Sequence, residues 1–283
     1  MKDKLMEICH LTFGYEEGRD VLHDINVSFY KQERIAVLGA NGAGKTTFFL
    51  HLNGVREPTG GEIRYRGEQI LKRNKNILRK KVGIVFQDPD QQIIASTVKA
   101  EVAFGPMNMK LSREEVEARA MKAIGDMNLS DHALRPPHYL SGGEKKRVSI
   151  ADIIAMDTEI MIFDEPTASL DPVNVQILEE ALNKMEQQGK TILLSTHDVD
   201  FAYRFADRIL VFGNGMLIGD GGPDTIFRDK GLLEQANLRK PVLMEVYDML
   251  RGRGILKETD DVVKDLTGLA LLLDTIEWQP ARL

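Results

Sequence analysis

Cysteine is almost absent: Cys9 is the only one in 283 residues. That excludes an intrachain disulfide and a cysteine-cluster metal site, and it fits a reducing compartment. Long apolar runs are missing too. No stretch approaches the roughly 18 consecutive apolar residues of a spanning helix, and the opening MKDKLMEICH lacks the apolar core of a signal peptide. The expectation is a chain that crosses no membrane; if it serves transport, another polypeptide forms the pore. Basic surplus is also lacking, with 37 basic against 43 acidic side chains and a formal charge of -6, which argues against a nucleic-acid partner. There is no internal repeat and no low-complexity tract. What remains is an ordinary globular mix, 43% apolar and 28% charged, long enough for one large α/β domain with a smaller appendage.

Residues 5–38 read as short strands, with Val21–Tyr30 partly alternating and Arg34–Leu38 apolar up to a glycine. A helix over Thr46–Asn53, a turn at Pro58–Gly61 and strands at Glu62–Arg66 and Lys81–Phe86 follow. The middle reads as helical, over Ser112–Met127, where Ser112 and Glu115 suggest a capping box, and over Gly142–Met156. Glu159–Phe163 is nearly all apolar, as a buried parallel strand should be. Further on come a helix over Val173–Gln188, a strand at Lys190–Leu194, a helix over Val199–Phe205, and strands at Arg208–Phe212 and Met216–Ile218. Alternating strands and helices predict a mainly parallel sheet covered on both faces. The tail reads as two helices, Val242–Leu250 and Thr259–Leu272, separated by RGRG. Its Lys240, Arg251 and Arg253 read as a solvated face among acids such as Asp248, Glu258, Asp260 and Asp261.

Gly39-Ala40-Asn41-Gly42-Ala43-Gly44-Lys45-Thr46 matches G-x-x-x-x-G-K-[ST] between a strand and a helix. Its glycines let successive N–H groups turn inward as an anion nest, and the helix dipole adds to it. Lys45 would neutralise the β and γ phosphates, Thr46 would offer its hydroxyl to Mg²⁺, and Thr47 would meet the α phosphate. The competing reading is a glycine-rich turn with a stray lysine, about a 1% coincidence when glycine is about 7% of residues. The apolar run Ile160–Phe163 ends in Asp164 and Glu165, which suit metal binding and activation of an in-line water. His197 follows another apolar strand, where it can donate to the γ phosphate; satisfaction by Asp198 or Asp200 is the alternative. Gln87 ends KKVGIVFQ and can touch both Mg²⁺ and the attacking water. His132 and His138 read as surface or packing residues, not ligands.

Leu140-Ser141-Gly142-Gly143-Glu144 completes a set, ordered with the phosphate loop, the DEPT run and His197, that resembles the ATP-binding cassette ATPases over about residues 5–235. The resemblance implies a P-loop NTPase (RecA-like) core with an antiparallel β subdomain, a helical subdomain at about 88–158, and a C-terminal helical extension over 236–283. It makes Tyr15 the adenine-stacking aromatic, Gln87 the Q-loop residue, Asp164 the Walker B aspartate, Glu165 the catalytic base, Ser169-Leu170-Asp171 the D-loop and His197 the switch histidine. Ser141 and Gly143 then close over the γ phosphate of a second subunit, in a homodimer or a heterodimer with a paralogous ATPase. Ala40, Glu144 and Ser169 depart from common choices without removing a needed donor or carboxylate.

VFQDPDQQI, LSGGEKKRVSIADIIAM and the tail of about 50 residues resemble the cobalt-type and other energy-coupling-factor importers, with cobalt the favoured cargo. That resemblance implies ATP and Mg²⁺ as ligands and a transmembrane scaffold protein and a membrane substrate-capture protein as partners. It implies no direct contact with the transported substrate and a place on the cytoplasmic face of the cell membrane. Nickel or vitamin import by the same ATPase is the alternative cargo. A soluble non-transport cassette protein is the rival class. It is disfavoured by the single cassette and by only about 95 residues between loop and signature, too few for a coiled-coil insertion.

Overall fold

The computed structural model describes residues 3–16, 18–168, 170–256 and 263–275. The chain opens with β1 (Lys4–Glu16), β2 (Arg19–Tyr30) and β3 (Arg34–Leu38), then α1 (Lys45–Leu52), β4 (Gly60–Tyr65), β5 (Glu68–Gln69), α2 (Asn76–Lys81) and β6 (Val82–Val85). The helices α3 (Val98–Asn108), α4 (Arg113–Asp126) and α5 (Gly142–Met156) fill the middle. Next come β7 (Ile160–Phe163), α6 (Pro172–Gln187), β8 (Thr191–Ser195), α7 (Val199–Phe205), β9 (Arg208–Gly213) and β10 (Met216–Gly221). Four helices follow: α8 (Pro223–Arg228), α9 (Lys230–Ala236), α10 (Val242–Gly252) and α11 (Leu266–Asp274).

The strands form two sheets. One is antiparallel, ordered β2-β1-β4-β5; the other is ordered β10-β9-β3-β8-β7-β6, parallel except for β10 at its edge. This is a RecA-like P-loop core with an antiparallel β subdomain and a helical region. Strand alternation divides the interior into two cores. Ala36, Leu38, Met161, Phe163, Ile192 and Leu194 face the side covered by α3 to α7. Ile35, Val37, Ile160, Ile162 and Leu193 face the side where α1 and the antiparallel sheet pack. α1 is therefore buried between two sheets, with Phe48 lying 5.1 Å from Phe212 and 6.3 Å from Phe29, ring to ring.

Several elements differ from the sequence expectation for local reasons. The opening segment holds two long strands, not several short ones. Register shifts along β1 and left-handed His10 and Asp24 interrupt the alternation that would have announced them. α3 was hidden by Gly105 and Pro106 inside it. Lys81 ends α2 and does not begin β6. At α4, Ser112 does cap the helix by accepting from Glu115 N, but Glu115 binds Arg119 at 2.7 Å, so the box is half built. The second tail helix starts at Leu266; the expected segment from Thr259 to residue 262, and Glu258, Asp260 and Asp261, lie outside the described residues, as does Ser169.

Glu159 links the two sheets just before β7. Its Oε2 accepts from Tyr65 Oη at 2.8 Å and Arg66 Nη2 at 2.6 Å, and its Oε1 accepts from Lys81 Nζ at 2.7 Å. Burial alone would raise its pKa; the bonds from Arg66, Lys81 and Tyr65 outweigh burial and hold it at about 2, against an ordinary 4.5. A folded-state pKa below the unfolded one gives stability that is complete above pH 4.5 and lost as pH falls toward 2. Glu159→Gln should therefore lower the urea midpoint at pH 7, and its gap from the parent should narrow progressively below pH 4.5; a gap independent of pH would contradict this.

Candidate active site

The loop after β3 turns sharply because the chain beside it leaves no room. Gly39 has φ 143°, and a Cβ there would lie 2.3 Å from the carbonyl oxygen of Phe212 on neighbouring β9. Gly44, at φ 100°, caps α1 without a side-chain bond, so the first N–H groups of the helix are left for a ligand. Lys45 lies along the loop, its Nζ donating to Gly39 O at 2.7 Å and Ala40 O at 3.1 Å. Burial lowers its pKa, against the pull of Glu165 and Asp164. A cleft of about 420 Å³ lies alongside, lined by Val21, Asn41–Thr47, Gln87 and Glu165.

Asp164 is buried at the end of β7. Its Oδ2 accepts from Thr46 Oγ1 and its Oδ1 from Ser195 Oγ, each at 2.5 Å. Ser195 Oγ also accepts from Glu165 N at 2.9 Å. Glu165 holds φ 46°, a left-handed conformation that costs a non-glycine residue about 1–3 kcal/mol. Its carboxylate lines the cleft and is gripped at both oxygens. Oε2 accepts from Gln87 Nε2 at 2.9 Å, and Oε1 lies 2.7 Å from His197 Nε2. Gln87, Asp164 and Ser195 follow or end β6, β7 and β8, which are adjacent and parallel, so their C-terminal ends share one edge of the sheet. Ser195 was not singled out from the sequence. Its one signal is a hydroxyl at the end of an apolar strand, two residues before His197.

Tyr15 is 52% exposed. Its hydroxyl meets Thr47 Oγ1 at 3.2 Å, and the guanidinium of Arg56 lies 5.1 Å from its ring centre. Arg56, 41 positions downstream in the sequence, was also not foreseen.

Ser141 caps α5. Its Oγ accepts from Glu144 N at 3.3 Å while Glu144 Oε2 accepts from Ser141 N at 2.7 Å, a full capping box. The Ser141 N–H is the main reason the Glu144 carboxyl titrates below its usual range. His132, expected to be a surface or packing residue, places its Nε2 3.1 Å from Glu144 Oε1. Neither Ser141 nor Gly143 lines the phosphate cleft. Asp171 caps α6 by accepting from Asn174 N at 2.9 Å, and a Cβ on Gly143 would lie 3.3 Å from Asn174 Nδ2. One further cation stands behind the site: Lys146 Nζ donates to Phe86 O and Gln87 O, each at 2.8 Å. Burial pushes its pKa down to about 8, opposed by Asp164, Glu165 and Asp88.

A nest of N–H groups at a helix N-terminus, a buried aspartate on the loop threonine and a glutamate lining the same cleft make a nucleotide-hydrolysing P-loop site. The family model described as ABC transporter matches residues 22–168. A putative ABC transporter ATP-binding protein of Methanosarcina acetivorans is 48% identical over 253 residues, 89% of this chain and 78% of that protein. The energy-coupling factor transporter ATP-binding protein EcfA of Methanosphaera stadtmanae is 44% identical over 248 residues, 87% of this chain and 89% of that protein. Among solved structures, cbiO1 from Clostridium perfringens, part of the ABC transporter complex cbiONQ, superimposes with a TM-score of 0.73 at 35% identity, covering 87% of this chain and 100% of that one. The chain belongs to the ATP-binding cassette transporter ATPases. Within them it is an ATP-binding and ATP-hydrolysing subunit of the energy-coupling-factor type. No helix among the described residues is long and apolar enough to cross a membrane.

Ser195→Ala would leave Asp164 Oδ1 and Glu165 N without their shared partner. The expected result is a stability loss of about 1–3 kcal/mol in urea denaturation, with a fall in ATP turnover larger than any fall in ATP affinity. Unchanged turnover would remove Ser195 from the site.

Proposed function

We propose that Gly39, Ala40, Asn41, Gly42, Ala43, Gly44, Lys45, Thr46 and Thr47 hold the triphosphate of ATP, with Tyr15 against the adenine, and that Glu165 orients and deprotonates the attacking water. The observation that carries this reading is the double grip on Glu165 by Gln87 and His197. Both partners present N–H donors that a γ phosphate would draw from the carboxylate, which frees it to act as a base. Lys45 would exchange its two loop carbonyls for phosphate oxygens. The donor set fits Mg²⁺: a buried carboxylate and a hydroxyl already in contact are hard oxygens of the kind that cation prefers. Thr46, Gln87 and Asp164 would hold it, and when bound it would neutralise developing phosphate charge.

Ser141 and Gly143 of a second copy, or of a paralogous ATPase, would complete each site. The absence of both residues from this chain's own cleft lining supports that head-to-tail arrangement. The helical region at about 88–158 is the proposed dock for a transmembrane scaffold protein, which works beside a membrane substrate-capture protein on the cytoplasmic face of the cell membrane. Exposed Ile94, Phe104, Met107, Leu134 and Tyr139 there support it, as does the likeness to a subunit of a larger transporter complex. Residues 1–235 are the proposed ATP-binding domain and 236–283 the extension. The proposed cargo is cobalt ion, on the resemblance of the Q-loop and signature runs to cobalt-type importers; this chain does not touch it.

Glu165→Gln should cut ATP turnover by at least about 10²-fold while ATP binding persists and ATP promotes a closed dimer; full turnover would overturn the assignment of the base. Uptake of labelled cobalt, nickel and vitamins, compared with and without this chain, tests the cargo. Loss of cobalt uptake alone is the expected result, and loss of only another cargo would replace cobalt without touching the ATPase.

A further inference from the structure

The segment from Phe86 to Gln92 leaves the sheet abruptly. Up to Val85 its backbone is bonded to β7, with Asp164 N donating to Val85 O at 2.9 Å. One residue later its polar contacts pass to α5. Lys146 Nζ donates to Phe86 O and Gln87 O at 2.8 Å each, and Lys145 Nζ meets Asp90 Oδ1 at 2.7 Å. Gln92 Nε2 donates to Ser149 O at 3.3 Å and Asp152 Oδ2 at 3.4 Å, while Gln92 Oε1 accepts from Phe86 N at 3.1 Å and closes the segment on itself. The Q-loop thus rides on α5, the helix that Ser141 caps.

Lys146 is the centre of this attachment. It is 2% exposed and, among the described residues, its ammonium bonds to two backbone carbonyls and no carboxylate, an arrangement that costs more than an apolar side chain of similar size would. Gripping the carbonyls of two consecutive residues fixes the backbone from which the Gln87 side chain departs, and that side chain ends on Glu165. In the other direction, Lys146 stands five residues from Ser141, roughly 7.5 Å along a rigid helix.

We propose that Lys146 is a positioning residue that locks Gln87 to the signature helix, so that engagement of Gln87 in a chain's own ATP site sets the placement of Ser141 for the other site. The proposal rests on the roles given above to Gln87, Glu165 and Ser141. Its physical content is one rigid connection shared by two sites: whatever draws Gln87 toward a γ phosphate moves α5 with it. By linkage, seating Ser141 on the second nucleotide favours the engaged position of Gln87 in the first. A single buried cation touching both elements gives the coupling a definite place in the chain.

The test uses the full chain in the Glu165→Gln background, with dimer formation followed by size exclusion with light scattering as ATP is raised. Glu165→Gln alone should dimerise with ATP; if it does not, the site reading fails and this coupling with it. Adding Lys146→Met should leave binding of a fluorescent ATP analogue by the monomer within about threefold, yet raise the ATP needed for half-maximal dimer by roughly tenfold or more, as loss of a charge-assisted contact predicts. Lys146→Arg should recover most of that loss. If Glu165→Gln dimerises and the double variant dimerises at the same ATP concentration, the Lys146 proposal is overturned while the site reading stands. A parallel fall in melting temperature, analogue binding and dimerisation also overturns it, since that is what a simple structural support would produce. Should Lys146→Met fail to fold, Lys146→Gln, a shorter neutral donor, carries the same comparison.

Discussion

The carboxylate of Asp164 is buried at a strand end, where an unpartnered charge would cost several kcal/mol. It is satisfied by two hydroxyls, and each ties it to a different element: Thr46 on the first turn of α1 and Ser195 at the end of β8. Ser195 then fixes the backbone of Glu165. The loop that ends in Thr46, the Glu165 carboxylate and the strand leading to His197 are thereby held in one register. Around that frame Lys45 rests on its two loop carbonyls, and Gln87 and His197 rest on Glu165, through side-chain contacts.

The two-core architecture explains why this small polar cluster can be rigid. α1 is sandwiched between a parallel and an antiparallel sheet, with Phe48 and Phe49 fully buried, so its N-terminus cannot drift from the strand ends that face it. The helical region rests on the other face of the sheet. Its polar attachment to the site runs through the short segment after β6, which is bonded to α5 and not to its neighbouring strand. The part that presents Ser141 is joined to the Glu165 carboxylate at Gln87.

The phosphate loop, the DEPT run, Gln87, the signature and His197 were all legible as residues, because each is a local pattern whose chemistry depends on neighbours in sequence. Partners drawn from distant segments were not legible. Ser195 carries no motif, and its importance arises only because β8 lies beside β7. Arg56 reaches Tyr15 through the packing of the antiparallel sheet against the end of α1. Lys146 sits in a run of basic helix residues, and only packing buries it between the half-buried Lys145 and Arg147. The long opening strands were obscured by bulges, and α3 by its own Gly105 and Pro106.

By itself, the sequence determined the class of chemistry. Local spacing sets which backbone N–H groups can curl around a phosphate and which carboxylates stand at the end of a buried strand, and such spacing survives in one dimension. Tertiary structure alone decided how those groups are held: Lys45 folded on its own loop, Glu165 in a left-handed backbone between Gln87 and His197, and the Q-loop bonded to the signature helix. These depend on strand order and on which side chains lose their water, quantities that exist only once the chain is packed.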